Sequence, residues 1–140
     1  MEKYIGLDLG TTTLGVATSD SLGFVHGLET FRFPKEAYGA ARKYVHDLVA
    51  KTGIKNIVIG LPINMDGSQG FRAESSKRFK ADLEAEDSTL KIELVDERLT
   101  TVSAQKTLRE LNVSSRNQKQ SVDRIAACEI LDFFLRMKGR

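Results

Sequence analysis

At 140 residues, 41% of them hydrophobic and 29% charged, the chain has the size and balance of one domain (residues 1–140) built round a single core. No apolar run approaches the roughly 20 residues of a membrane span, and a formal net charge of +2 is too small to mark a nucleic-acid binder by itself. The lone Cys128 excludes an intramolecular disulfide, and two histidines give no Cys/His cluster for zinc.

Met1-Glu2-Lys3-Tyr4-Ile5 enters a strand-like pattern at once, without the basic and long apolar regions of a signal peptide; this predicts a cytoplasmic protein. Residues 3–9 and 13–20 read as two strands joined by the turn Gly10-Thr11-Thr12, and residues 24–33 as a third that Gly27 weakens. Short links between the three suggest an antiparallel meander. The period then changes. Ala41, Tyr44, Val45, Leu48 and Val49 fall on one helical face between Glu36 and Lys51, and Gly53 is a natural stop. Asn56 to Pro62 is a short apolar run suited to a buried strand, residues 64–70 are a polar, Gly-rich loop, and residues 71–86 read as a charged amphipathic helix. Lys91 to Val95 is the fifth strand. Two helices close the chain, at about 101–111, with Thr100 or Thr101 as N-cap, and at about 118–137. Val122, Ile125, Ala126, Ile130, Leu131, Phe133 and Phe134 cover a wide arc of the last, which predicts deep burial. The order β-β-β-α-β-α-β-α-α points to an α/β fold, a mixed five-stranded sheet with helices packed on it.

Carboxylates stand at three places where a core belongs. Asp8 shares a strand face with Tyr4 and Gly6, and an ionised group there is costly unless paired or metal-bound. Asp96 and Glu97 follow the apolar Leu94-Val95 at a strand's C-terminal edge, where open α/β sheets place ligands. Asp123 lies on the helical stripe of Ala126, Ala127 and Ile130. Each has a structural alternative: Asp8 bonding its own turn, Glu97 pairing with Arg98, Asp123 serving its helix terminus. Acids converging at a sheet edge suit Mg²⁺ or Mn²⁺, and two such ions support phosphodiester cleavage. Six bases against three acids from Arg116 to Arg140 could contact phosphates or could be a solvated helix face. Cys128 is expected as a small buried hydrophobe, and His26 and His46 as structural or exposed residues.

These same residues carry a resemblance. Gly6-Leu7-Asp8-Leu9-Gly10 with Gly15-Val16-Ala17-Thr18-Ser19-Asp20, then the run from Ile59 to Ser68, Asp96-Glu97-Arg98-Leu99-Thr100-Thr101 and Val122-Asp123-Arg124-Ile125-Ala126-Ala127 resemble the YqgF family. Its members are called Holliday-junction-resolvase-like proteins or pre-16S rRNA nucleases. The blocks run through almost the whole chain in order; the second and third are specific, the first alone is weak. The resemblance implies an RNase H-like fold, a cytoplasmic location, metal-dependent nuclease chemistry and processing of the 5′ end of the small-subunit rRNA precursor. It maps the acidic site onto Asp8, Glu97 and Asp123. Where the family often has a basic pair in its first hairpin, this chain has Thr12 and Thr13.

The expected function is hydrolysis of a phosphodiester in structured RNA, most simply pre-16S rRNA, with Asp8 bridging two Mg²⁺ or Mn²⁺ ions and Glu97 and Asp123 completing the shell. Asp96 is a reserve ligand, because the sequence leaves open which of the two adjacent acids faces inward. Arg98, Arg116, Lys119 and Arg124 are candidate nucleic-acid contacts, and residues 64–70 either border the substrate groove or form an ordinary mobile loop. Branched DNA is an alternative substrate, a non-catalytic nucleic-acid-binding module an alternative role, and a homodimer is left open. Gly6 to Thr12 also resembles the first phosphate loop of sugar kinases and actin-like ATPases, but 140 residues leave no room for their second domain and second loop.

Overall fold

A computed structural model describes residues 1–100 and 116–139, and of residues 116–122 the backbone alone. Strands β1 (Tyr4–Leu9), β2 (Thr13–Ser19) and β3 (Val25–Arg32) are followed by helix α1 (Tyr38–Thr52), strand β4 (Asn56–Leu61), helix α2 (Phe71–Glu86) and strand β5 (Lys91–Asp96). A 3₁₀ turn (Glu97–Leu99) and a long helix α3 (Arg116–Lys138) complete the described elements. The helix expected at 101–111 lies outside the described residues. Thr100, one of its two candidate caps, instead donates its hydroxyl to the carbonyl of Glu97 at 2.9 Å and closes the 3₁₀ turn.

The strands form one mixed sheet in the order β3-β2-β1-β4-β5. β1, β2 and β3 are the expected antiparallel meander, while β4 and β5 join in parallel. Parallel neighbours need crossovers, and α1 and α2 are the crossover elements flanking β4. Gly27 does not break β3; it pairs with Ala17 beside an irregularity in the ladder between Val16 and Ala17. Gly53 ends α1 in the left-handed conformation at φ 75°, its N–H bonded to the carbonyl of Val49.

Alternation along the strands splits the core in two. Ile5, Leu7, Leu14, Val16, Ile57, Ile59 and Ile92 face α1 and α2, with Val45, Phe79 and Leu83. Tyr4, Ala17, Val58 and Val95 face α3, with Ala126, Ala127, Ile130 and Leu131. The wide burial expected for the last helix is therefore too generous. Its far side is open, with Ile125 exposed and Phe133 and Phe134 half-buried, because α3 covers one face of the sheet only. Cys128 is likewise half-buried, and burial pushes its thiol up. His26 is exposed against Asp20, and His46 is held by Glu86.

Candidate active site

The sheet face beneath α3 is floored with small residues, and their smallness sets the geometry of the site. A Cβ at Gly6 would stand 2.8 Å from Cβ of Leu131 and 3.0 Å from the carbonyl oxygen of Ala127. A Cβ at Gly15 would stand 2.1 Å from the carbonyl oxygen of Asp123. No real Cβ tolerates that distance, so the backbone of α3 reaches the sheet at Asp123 only because position 15 has no side chain.

Asp8 lies directly opposite Gly15 in the antiparallel ladder, and opposed residues point to the same face. Asp123 above Gly15 and Asp8 beside it therefore share one side of the sheet. Glu97 arrives from the other direction. The β1–β4 register, carried one residue beyond the Leu7–Ile59 pair, sets Gly60 beside Asp8. A Cβ at Gly60 would meet Cγ and Cδ of Glu97 at 3.2 Å. Asp8, Glu97 and Asp123 are 3%, 2% and 4% exposed. Three elements thus bring three acids round the Gly15–Asp8–Gly60 stretch at the C-terminal edge of β1 and β4.

Burying carboxylates is expensive unless cationic charge or hydrogen bonds compensate, and carboxylate oxygens are the donors that hard divalent cations take. The residue types fit such an ion. As they stand, among the described residues, no three His, Cys, Asp or Glu side chains are gathered closely enough to hold one. The acids line a common stretch rather than forming a finished cage.

The adjacent pair at the end of β5 resolves cleanly. Asp96 caps the 3₁₀ turn by accepting the backbone N–H of Arg98 at 2.9 Å. Its carboxylate also takes the Arg98 guanidinium at 2.8–3.2 Å, and that bonding holds it below its ordinary value. Glu97 is the acid that turns inward. The ion pair that Arg98 could have made with Glu97 is made with Asp96 instead. Asp123 is the eighth residue of α3, two turns from its start, so it is not a terminal cap.

The basic candidates divide. Arg98 is tied to Asp96. Arg124 is exposed, with its stem lying over Gly27. The side chains of Arg116 and Lys119 lie outside the described residues. Residues 64–68 are a hydrogen-bonded turn rather than a loose loop. Asn64 N–H donates to the Ser68 carbonyl, Gly67 N–H to the Asn64 carbonyl, and Ser68 N–H and hydroxyl to Asp66. A cavity of about 300 Å³ beside this turn is lined by Pro62, Ile63, Asn64, Arg72 and Glu97, among others. A slightly larger one, about 350 Å³, lies between α1 and α2. Its acids Glu74 and Asp82 already face Lys77 and Arg78, and no buried carboxylate lines it. Sequence reasoning missed Arg72, which reaches from α2 to the carbonyl of Leu9 at the end of β1. No local pattern announces a contact across 63 residues.

Known proteins resemble this chain in sequence and in fold. A family model described as "RuvX: Holliday junction resolvase" matches residues 2–137. A relative from Geobacillus sp. (strain WCH70) is 42% identical over 137 residues, covering 97% of this chain and 99% of its own; it is named "Putative pre-16S rRNA nuclease". One of the same name from Staphylococcus aureus (strain JH9) is 39% identical, covering 95% and 94%. Among solved structures, Thermus thermophilus RuvC in complex with a Holliday junction substrate superposes with a TM-score of 0.60 at 13% identity, covering 99% of this chain and 96% of that one. The fold is RNase H-like.

Proposed function

The chain belongs to the RuvX family, and from that membership we propose that it is a divalent-metal-dependent nuclease that trims the 5′ end of pre-16S rRNA in the cytoplasm. What carries the reading is the burial of Asp8, Glu97 and Asp123 round one glycine-floored stretch of the sheet. A module that only binds nucleic acid gains nothing from three buried acids beside a polyanion.

By this reading Asp8, Glu97 and Asp123 would hold Mg²⁺ or Mn²⁺, two ions in all, and Asp96 stays with Arg98 rather than joining them. When bound, such ions activate water and offset charge on the leaving oxygen. The rest falls to the chain itself. Burial beneath α3 keeps bulk solvent from the three carboxylates, which strengthens every charge interaction there. The Asp96 cap fixes the 3₁₀ turn, so that Glu97 points inward before substrate arrives. Arg98, beside Gly67 of the 64–68 turn, and Arg124, with Arg116 and Lys119 on the same helix, would draw the phosphate backbone to this face.

The test is incubation of the full chain with a pre-16S rRNA fragment and with a four-way DNA junction, each in Mn²⁺, Mg²⁺ or EDTA. The RNA is cut at its 5′ boundary with either metal and left intact in EDTA. Asp8→Asn melts as the wild type does and cuts nothing. Cleavage that survives EDTA, or an Asp8→Asn protein of undiminished rate, contradicts the proposal. Cleavage of the junction alone moves the substrate to branched DNA, the reading that the shared fold with a junction-bound RuvC supports.

A further inference from the structure

Most arginines in the described part of the molecule are answered by an acid. Arg42 meets Glu86 and Asp82, Arg78 meets Asp82, Arg98 meets Asp96 and Arg136 meets Asp132. Arg72 differs. Among the described residues it enters no ion pair; its bond is from Nη2 to the carbonyl oxygen of Leu9, at 3.0 Å. Leu9 follows Asp8 directly, so this guanidinium is fastened one residue from a buried acid of the site. The same side chain lines, together with Glu97, the cavity of about 300 Å³ beside the 64–68 turn.

A guanidinium carries five N–H donors in a rigid plane. Fastening one of them to a main-chain carbonyl fixes the plane and leaves the charge unanswered. A cation held between the end of β1 and Glu97, with no ion pair among the described residues, lowers the repulsion that a nucleic-acid backbone meets there, and a planar fork matches phosphate in a bidentate way that lysine does not. We propose that Arg72 holds a backbone phosphate of the substrate in the cavity it shares with Glu97, setting the chain in place beside Asp8, Glu97 and Asp123. The inference rests on the nuclease reading above. The competing role is a strut that only ties α2 to the end of β1.

Metal-free binding separates the two. The full chain, Arg72→Gln and Arg72→Lys are titrated in EDTA with a labelled pre-16S rRNA fragment over a series of salt concentrations, and each protein is melted alongside. Losing one phosphate contact lowers the salt slope of log affinity by about one unit. Arg72→Gln shows that drop. Arg72→Lys keeps the slope, since a cation stays in place, but binds several-fold more weakly for want of the fork. An Arg72→Gln protein with the wild-type slope overturns the proposal and leaves a strut, whatever its melting point. If Arg72→Gln fails to fold, Arg72→Lys decides: wild-type affinity overturns the proposal. Wild-type cleavage in Mn²⁺ is measured on the same RNA. If the wild type cuts while Arg72→Gln binds as it does, the nuclease reading stands and Arg72 falls. If the wild type neither binds nor cuts, both fall together.

Discussion

Asp96 and Glu97 are neighbours in sequence with opposite surroundings, and strand alternation explains why. Ile92 and Leu94 pack toward α1 and α2, while Val95 packs toward α3. Glu97 has the parity of Val95 and so continues on the α3 side, that of Tyr4, Gly6 and Asp8. Counting residues in twos from Val95 chooses Glu97 over Asp96, and only the end of the apolar run at Val95 hides this in the sequence. Away from the site, Glu86 shows how a single exposed carboxylate ties elements together. It takes His46 at 2.9 Å and Arg42 at 3.0 Å, joining the end of α2 to α1. The His46 hydrogen bond, with help from Arg42 and against some desolvation, holds its carboxyl below the ordinary 4.5. Its folded value therefore lies below its unfolded one. The stability it contributes is full above about pH 4.5 and is lost as pH falls through the lower, folded value. Glu86→Gln should melt slightly below wild type at pH 7, and the gap should narrow as pH falls below 4.5 and through the folded value. Melting curves across that range check it; a gap constant with pH would mean the link is not ionic.

At the scale of elements, most boundaries were legible because each carries its own period or punctuation. α2 spans the residues expected of it, and Gly53 and Pro62 mark the ends of α1 and β4 as expected. Hidden from local pattern was the purpose of the strand glycines. Gly27 reads as a weakness in β3 and Gly15 as one letter of a motif, yet both lie under α3. Their need for smallness comes from a helix more than 90 residues away, which no window of sequence contains. The two positions should respond differently to a methyl group. At Gly15 the methyl meets the backbone of Asp123 at 2.1 Å, and the helix must lift. Overpacking of this kind costs about 3 kcal/mol or more, close to 10 °C in Tm for a chain of this size. At Gly27 it meets the Arg124 stem at 2.8 Å and Cys128 Sγ at 3.3 Å, side-chain atoms that can move. The methyl also relieves the entropy penalty of glycine in a strand, so Gly27→Ala should stay within about 1 kcal/mol of wild type. Gly15→Ala should also lose activity, because lifting α3 carries Asp123 away from Asp8. Thermal melts and cleavage rates of the two variants test this; equal stability would mean that α3 is not seated on Gly15.

For the whole molecule, the topology does what no single element can. A meander places β1 at the centre of the sheet, two parallel strands extend it on one side, and a terminal helix folds back across the opposite face from α1 and α2. The C-terminal ends of β1 and β4 come together where an open sheet leaves room for a ligand. The convergence of Asp8, Glu97 and Asp123 follows from strand order and from the glycine floor, and their burial is the ground for the proposed site. The central claim is that these acids act as one metal site in one nuclease. Its most direct test is the rate and Mn²⁺ affinity of Glu97→Gln, Asp123→Asn and the double variant on the same RNA. Residues that merely orient a metal ligand cost about 10- to 100-fold when lost. Ligands of one site should each cost more than that and weaken Mn²⁺ binding, and the double variant should be scarcely slower than either single one. Multiplied rate losses in the double variant, with Mn²⁺ affinity unchanged in both singles, would contradict the account.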